Sequence, residues 1–156
     1  LQIKGIGKTK AIQIEAVLEI VRRYCNEELS ERPVISCAND IDRLMRHRIA
    51  NLGHEEIWVV LLNRKNAVIS TRRITSGSAT ASVFDVKAVM KNAILENAEG
   101  LVLCHNHPSG NLRPSAQDDQ ITRVCREACE TLQLRMLDHL IIAPQGYYSY
   151  LDESRL

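Results

Sequence analysis

The sequence predicts an α/β fold, a mixed β-sheet with helices packed on its faces in an α-β-α layering. Two observations lead there. Short apolar runs of strand character recur along the chain, at residues 55–62, 67–70, 101–104, 135–143 and 147–150. Between them lie segments whose apolar residues repeat at helical spacing, so strands alternate with helices that can cover them. No internal repeat or low-complexity tract interrupts the pattern.

Taken in order, Gly5 and Gly7 form a Gly-x-Gly turn directly before an amphipathic stretch with Ala11, Ile14, Val17, Leu18 and Val21 on one side. Such a turn exposes backbone amides at a helix start, where a phosphate can be held. With Lys4, Lys8 and Lys10 beside it, the segment resembles the second half of a helix-hairpin-helix DNA-binding element. The chain turns polar from Tyr24 to Pro33, so residues 1–33 are expected to form this element and a linker, and residues 34–156 the main domain. The opening Leu1 is not an initiator methionine, and the chain is expected to be part of a longer protein.

Asn39, with Asp42 three residues on, is the expected cap of a helix whose buried stripe is Ile41, Leu44, Met45 and Ile49, ending at Gly53. Residues 55–62 read as a central strand, folded back by the polar turn at residues 63–66 onto residues 67–70 as a hairpin. A turn is expected at residues 76–78. Asp85 then caps a helix with Val86, Val89, Met90, Ala93 and Ile94 on one face, which returns to the apolar run Leu101-Val102-Leu103-Cys104 as a crossover. A further helix carries Ile121, Val124, Cys125, Ala128 and Leu132. Residues 135–143 read as a buried strand, and Pro144-Gln145-Gly146 turns it into the last hairpin strand.

Chain length and composition fit one hydrophobic core. The 156 residues are 45% hydrophobic and 25% charged, with a formal net charge of +1, so no global field draws the chain to nucleic acid or to an anionic membrane. No apolar run is long enough for a membrane span, and no charged-then-apolar leader opens the sequence. The five cysteines are odd in number and mostly sit in apolar segments, which reads as the reducing cytosol rather than a disulfide framework. Cys125 and Cys129 read as core, and Cys104 points away from the histidine that follows it.

The chemistry concentrates in residues 100–119. His105 and His107 stand two apart at the end of an apolar strand, so both imidazoles can share one face while Asn106 faces away. The breakers Pro108, Ser109, Gly110 and Asn111 turn the chain, and Pro114-Ser115 restarts it as a helix with Asp118 in the first turn. Ser115 and Asp118 also have the spacing of a capping box. Two imidazoles and a carboxylate with a fourth position open form the donor set of a catalytic metal.

His105-x-His107, ten intervening residues and Asp118, with Pro108 after the second histidine and Pro114-Ser115 before the aspartate, resembles the JAMM (MPN-plus) metalloprotease signature. The longer string, with Leu137-Asp138-His139 and Tyr148-Ser149 downstream, is similar to the bacterial RadC-like branch of that family. The resemblance implies the cytidine-deaminase-like α-β-α fold and a Zn2+ cofactor held by His105, His107 and Asp118. It further implies a peptide or protein substrate and a glutamate general base at the start of the strand before the hairpin. Glu56 is the expected base, with Glu55, facing the other way, as its competitor. Ser115 is expected to stabilise the oxyanion, and one of Asp138 and His139 to face the interior while the other faces solvent. The chain departs from RadC-like relatives at Phe84-Asp85-Val86-Lys87, where they carry Pro-Arg-Glu. A zinc deaminase is disfavoured because its Cys-x-x-Cys ligand pair is absent. The alternative to a hydrolase is a DNA-repair-associated protein that binds nucleic acid through Gly5, Gly7, Lys8 and Lys10.

Overall fold

A computed structural model describes residues 7–28, 32–77 and 84–156. Contacts divide the chain into two units, Leu1–Arg32 and Pro33–Leu156. Among its described residues the first contains α1 (Lys8–Glu28). The second contains α2 (Ala38–Ile49), β1 (Glu55–Leu62), β2 (Val68–Gly77), α3 (Val86–Leu95), β3 (Gly100–Asn106), α4 (Ala116–Thr131), β4 (Arg135–Ala143) and β5 (Gly146–Ser149).

The five strands form one mixed sheet in the order β2-β1-β3-β4-β5, the α/β architecture the sequence predicts. β1 is antiparallel to both β2 and β3, β3 and β4 run parallel, and β5 closes the edge as a hairpin partner of β4. The β1–β2 turn follows from its asparagines. The Asn63 side chain accepts from the amides of Lys65 (2.8 Å) and Ala67 (3.0 Å), and Asn66 takes the left-handed conformation at φ 58° that asparagine tolerates.

Alternation along the strands sorts the core into two layers. Val60, Leu62, Val102, Cys104, Leu140 and Ile142 point to the side covered by α2, where Ile41, Met45 and Ile49 meet them. Ile57, Val59, Leu61, Leu101 and Leu103 point to the other side, against Val89, Met90 and Ala93 of α3 and Ile121, Cys125 and Cys129 of α4. β3, covered on both faces and paired on both edges, is buried at every residue. At its first residue the backbone approaches β4 closely: a side chain at Gly100 would meet Leu137 Cδ1 at 2.6 Å and the Arg135 carbonyl at 3.1 Å. Arg46 anchors α2 to the far end of the sheet, with a bidentate pair to Asp42 (2.8 and 2.7 Å) and a hydrogen bond to the Ala143 carbonyl (2.8 Å).

Three local expectations are corrected. α2 begins earlier than an Asn39 cap would have it: Cys37 is the cap, and the Asp40 carboxylate reaches back to the amides of Ser36 (2.9 Å) and Cys37 (3.3 Å). β2 continues past Ser70 to Gly77, because pairing with β1 carries it through the polar residues of its exposed edge. The crossover through α3 joins β2 to β3, strands that are not neighbours, since β1 lies between them. Asp85 does cap α3, accepting from the Ala88 amide at 3.1 Å.

Met45 is fully buried between α2 and the sheet. Met45→Ala is expected to lower the unfolding free energy by about 2–5 kcal/mol, read as a lower urea midpoint at unchanged slope. A midpoint equal to that of the parent would contradict the packing of α2 on this face.

Candidate metal centre

The centre lies where β3 ends and α4 begins. His105 is paired across β1 with Ile57, so its side chain continues the row of Leu101 and Leu103 on the α3/α4 side. His107, just past the strand, is held to β4 through its amide and the Ile142 carbonyl (3.2 Å). The two imidazoles meet edge to face with centroids 4.6 Å apart. Gly110, at φ 82°, makes the turn that brings the chain round to α4.

Ser115 caps α4 in a reciprocal capping box: its Oγ accepts from the Asp118 amide (3.2 Å), and its own amide donates to Asp118 Oδ2 (2.7 Å). The box fixes the carboxylate. Asp118 Oδ1 then lies 3.5 Å from His105 Nε2 and Oδ2 lies 3.5 Å from His107 Nε2. The ligand atoms of all three residues fall within 4.8 Å of one another. Tetrahedral N and O donors at about 2.0–2.1 Å from a shared ion are themselves roughly 3.4 Å apart, so the set fits a small cation. His107 is already in the tautomer a ligand needs: its Nδ1 donates to the Asn111 carbonyl (2.5 Å), leaving the Nε2 lone pair for an ion.

The electrostatics follow from burial and pairing. Burial pushes His105 down to about 4, with the Asp118 charge opposing it only in part. The hydrogen bond with Asp118 raises His107 against its partial burial, and the Asn111 carbonyl and the Glu55 charge add to the rise. Burial works against the charged form of Asp118, yet the His107 hydrogen bond, the His105 charge and the Ser115 donors outweigh it and hold the carboxyl well below the usual range. A cleft of about 240 Å³ opens onto the ligands, lined among others by Glu55, His107, Arg113, Ser115, Gln117 and Asp118.

The geometry corrects the expectation for Glu56. It sits on the α2 face of the sheet, where Trp58 Nε1 donates to its Oε2 (2.8 Å), and His54 Nε2 and Arg73 lie 3.1 Å from its Oε1. Alternation therefore turns Glu55 toward the cleft. Asn106, between the ligand histidines, faces the Glu56 side, accepts from the Glu56 amide (2.8 Å) and donates to the His54 carbonyl (2.9 Å). Ser115 is beside the cluster, and its hydroxyl hydrogen goes to Asp118 Oδ2 (2.7 Å). Asp138 and His139 are both buried, because β4 is covered on its two faces. Asp138 holds the C-terminal turn through Ser149 Oγ (2.5 Å) and the Leu151 amide (2.9 Å). His139 stands 5.7 Å from His105, ring centre to ring centre. Of the nucleic-acid candidates, Gly5 lies outside the described residues, Gly7 precedes α1, and Lys8 and Lys10 are exposed in its first turn.

The sequence profile of the RadC-like JAB domain matches residues 35–156. The chain belongs to this family. A protein named UPF0758 from Flavobacterium johnsoniae is 43% identical over 153 residues, covering 98% of this chain and 67% of its own. Relatives of the same name from Rubrobacter xylanophilus (43% identical, 99% of this chain, 68% of its own) and Coprothermobacter proteolyticus (38%, 98% and 67%) agree. A RadC-like JAB domain falls in a superfamily associated with metal-dependent hydrolysis, and the His105, His107 and Asp118 cluster could hold such an ion. No helix among the described residues of this RadC-like chain is long and apolar enough to cross a membrane.

The buried histidines make stability depend on pH in the metal-free protein. His105 titrates at about 4 in the fold and His139, also pushed down by burial, at about 3. An unfolded histidine titrates near 6.5. Between pH 6.5 and 4 the unfolded chain thus binds the extra protons, and stability falls on acidification by up to about 1.4 kcal/mol per pH unit for each histidine. His107, raised in the fold, contributes its stability below pH 6.5 and does not oppose the trend in this window. Urea unfolding at stepped pH is expected to show the loss; a flat profile from pH 6.5 to 4 would contradict it.

Proposed function

We propose that this RadC-like domain is a zinc-dependent hydrolase that cleaves a peptide or isopeptide bond, with Glu55 as its general base. The observation that carries the reading is the convergence of His105 Nε2, His107 Nε2 and one Asp118 oxygen, with Glu55 on the wall of the same cleft. An N2O donor set of this kind suits zinc, which when bound would polarise a carbonyl and lower the pKa of a bound water from about 16 to roughly 7.

The chain's own groups divide the remaining work. Glu55 accepts the proton released by the attacking water and hands it to the leaving nitrogen, the exchange a carboxylate at the mouth of such a cleft can perform. Ser115 holds Asp118 through its hydroxyl and its amide, keeping the carboxylate ionised and aimed at its ligand position. The Asn111 carbonyl does the same for His107. Arg113 and Gln117, on the cleft wall, are placed to engage the carbonyls of an extended substrate chain. Glu56 acts by structure alone, closing the start of β1 with Trp58, His54 and Arg73.

A purified sample is expected to contain one zinc per chain by elemental analysis and to lose thermal stability on chelation. Glu55→Gln is expected to retain the zinc and lower kcat by about 10²–10⁴-fold on a cleavable peptide, while Glu56→Gln keeps turnover within several-fold. Zinc-free protein indifferent to chelators, or full activity in Glu55→Gln, would overturn the assignment.

A second reading concerns α1, whose first turn carries Lys8 and Lys10 and no acidic residue. The positive end of a helix dipole disfavours cations unless an anion joins them, and a DNA phosphate is the partner this segment suits. Binding to duplex DNA is expected to weaken with salt, with a slope reduced by about one for each of Lys8→Ala and Lys10→Ala. Unchanged slopes in both variants would dismiss it.

A further inference from the structure

The two ligand histidines differ in how their second ring nitrogen is held. His107 Nδ1 donates to the Asn111 carbonyl, as a metal-ligating imidazole requires. His105 Nδ1 is buried and has no hydrogen-bond partner. To present the Nε2 lone pair to a cation, His105 must carry its hydrogen on Nδ1, and that hydrogen needs an acceptor.

The matching acceptor is in the next strand. His139 pairs with Leu103 in the β3–β4 ladder, which puts its ring on the same face as His105, with centroids 5.7 Å apart and planes tilted by 30°. Its protonation pattern follows from Thr122. The Thr122 hydroxyl has one hydrogen and gives it to the Asp118 backbone carbonyl (2.7 Å), an acceptor that can donate nothing in return. The 2.7 Å contact between Thr122 Oγ1 and His139 Nδ1 is therefore donated by the ring, which leaves a lone pair on His139 Nε2. That nitrogen is likewise buried without a partner. Apart from Thr75 Oγ1 on β2, these two are the buried orphans among the described side chains; one needs an acceptor and the other a donor, and both rings sit in one column, Tyr150, His139, His105 and His107, at successive spacings of 5.0, 5.7 and 4.6 Å.

We propose that His139 is a positioning residue of the metal centre, accepting the Nδ1 hydrogen of His105 on its Nε2, directly after a small ring rotation or through one water. The inference rests on the metal reading of His105, His107 and Asp118. The connection runs from His105 through His139 and Thr122 to the backbone of Asp118, so one ligand's ring is tied to the helix turn that carries another. His139 itself touches neither substrate nor ion.

The test uses the whole chain loaded with zinc, nitrogen NMR of the histidine rings and chelator competition. In the parent, the His105 hydrogen is expected on Nδ1. His139→Phe keeps the stack on Tyr150 and removes the acceptor; its zinc affinity is expected to fall about 10–100-fold, with the His105 Nδ1 hydrogen exchanging rapidly with solvent. His139→Gln, whose amide oxygen reaches the place of Nε2, is expected to recover most of the affinity, which a loss of packing alone would not allow. If His139→Phe does not fold, His139→Gln and the parent spectrum decide. Parent-like affinity and an unchanged His105 signal in His139→Phe would overturn this inference alone, as would a parent spectrum with the hydrogen on Nε2. A parent that takes up no zinc overturns it together with the hydrolase reading.

Discussion

The parity of β3 governs the site. An extended chain sends successive side chains to opposite faces, so His105 and His107 reach one side only because Asn106 between them leaves by the other. Asn106 is not idle there. Its amide bridges the Glu56 amide and the His54 carbonyl, fixing β1 against the end of β3. The step that brings the two imidazoles to one side thereby also sets which glutamate of the Glu55-Glu56 pair looks into the cleft. A slip of one residue between these strands would turn Glu56 and Trp58 toward the cleft and Glu55 away from it.

That dependence marks what the sequence could reveal. The convergence of His105, His107 and Asp118 was legible because its geometry is local: alternation places the two histidines, Gly110 and the prolines place the turn, and the Ser115 box places Asp118. The strands and helices were legible from their periods, and their boundaries less so, since β2 is lengthened by pairing and α2 is started by Asp40 reaching back. The choice between Glu55 and Glu56 needed the register of two strands about fifty positions apart, which no local pattern contains. Asp138 and His139 read as one buried and one exposed for a different reason. Alternation alone implies that outcome, but α2 on one side and α4 on the other cover both.

The centre is also where the fold tolerates polar groups that burial disfavours. Two neutral imidazoles, a carboxylate and a threonine hydroxyl share the rim of an apolar layer formed by Ile57, Leu103 and Ile121. Most of their polar atoms are matched by neighbours, and the exceptions are His105 Nδ1 and His139 Nε2. Polar groups held this way favour a single arrangement of rings, which is what a site with ligands from two separate elements requires.

The ring column ends on Tyr150, directly after β5. Tyr150 stacks on His139 at 5.0 Å and gives its hydroxyl hydrogen to Asp119, while Arg155 lies over the Tyr150 ring and grips the same Asp119 with two 2.9 Å bonds. The clasp is exposed to solvent at Arg155 and Asp119, so losing the Arg155 side chain would free the tyrosine and slacken the histidines behind it. The arrangement of the histidine cluster thus depends on a contact more than one ring away from the cleft, at a place where solvent reaches it.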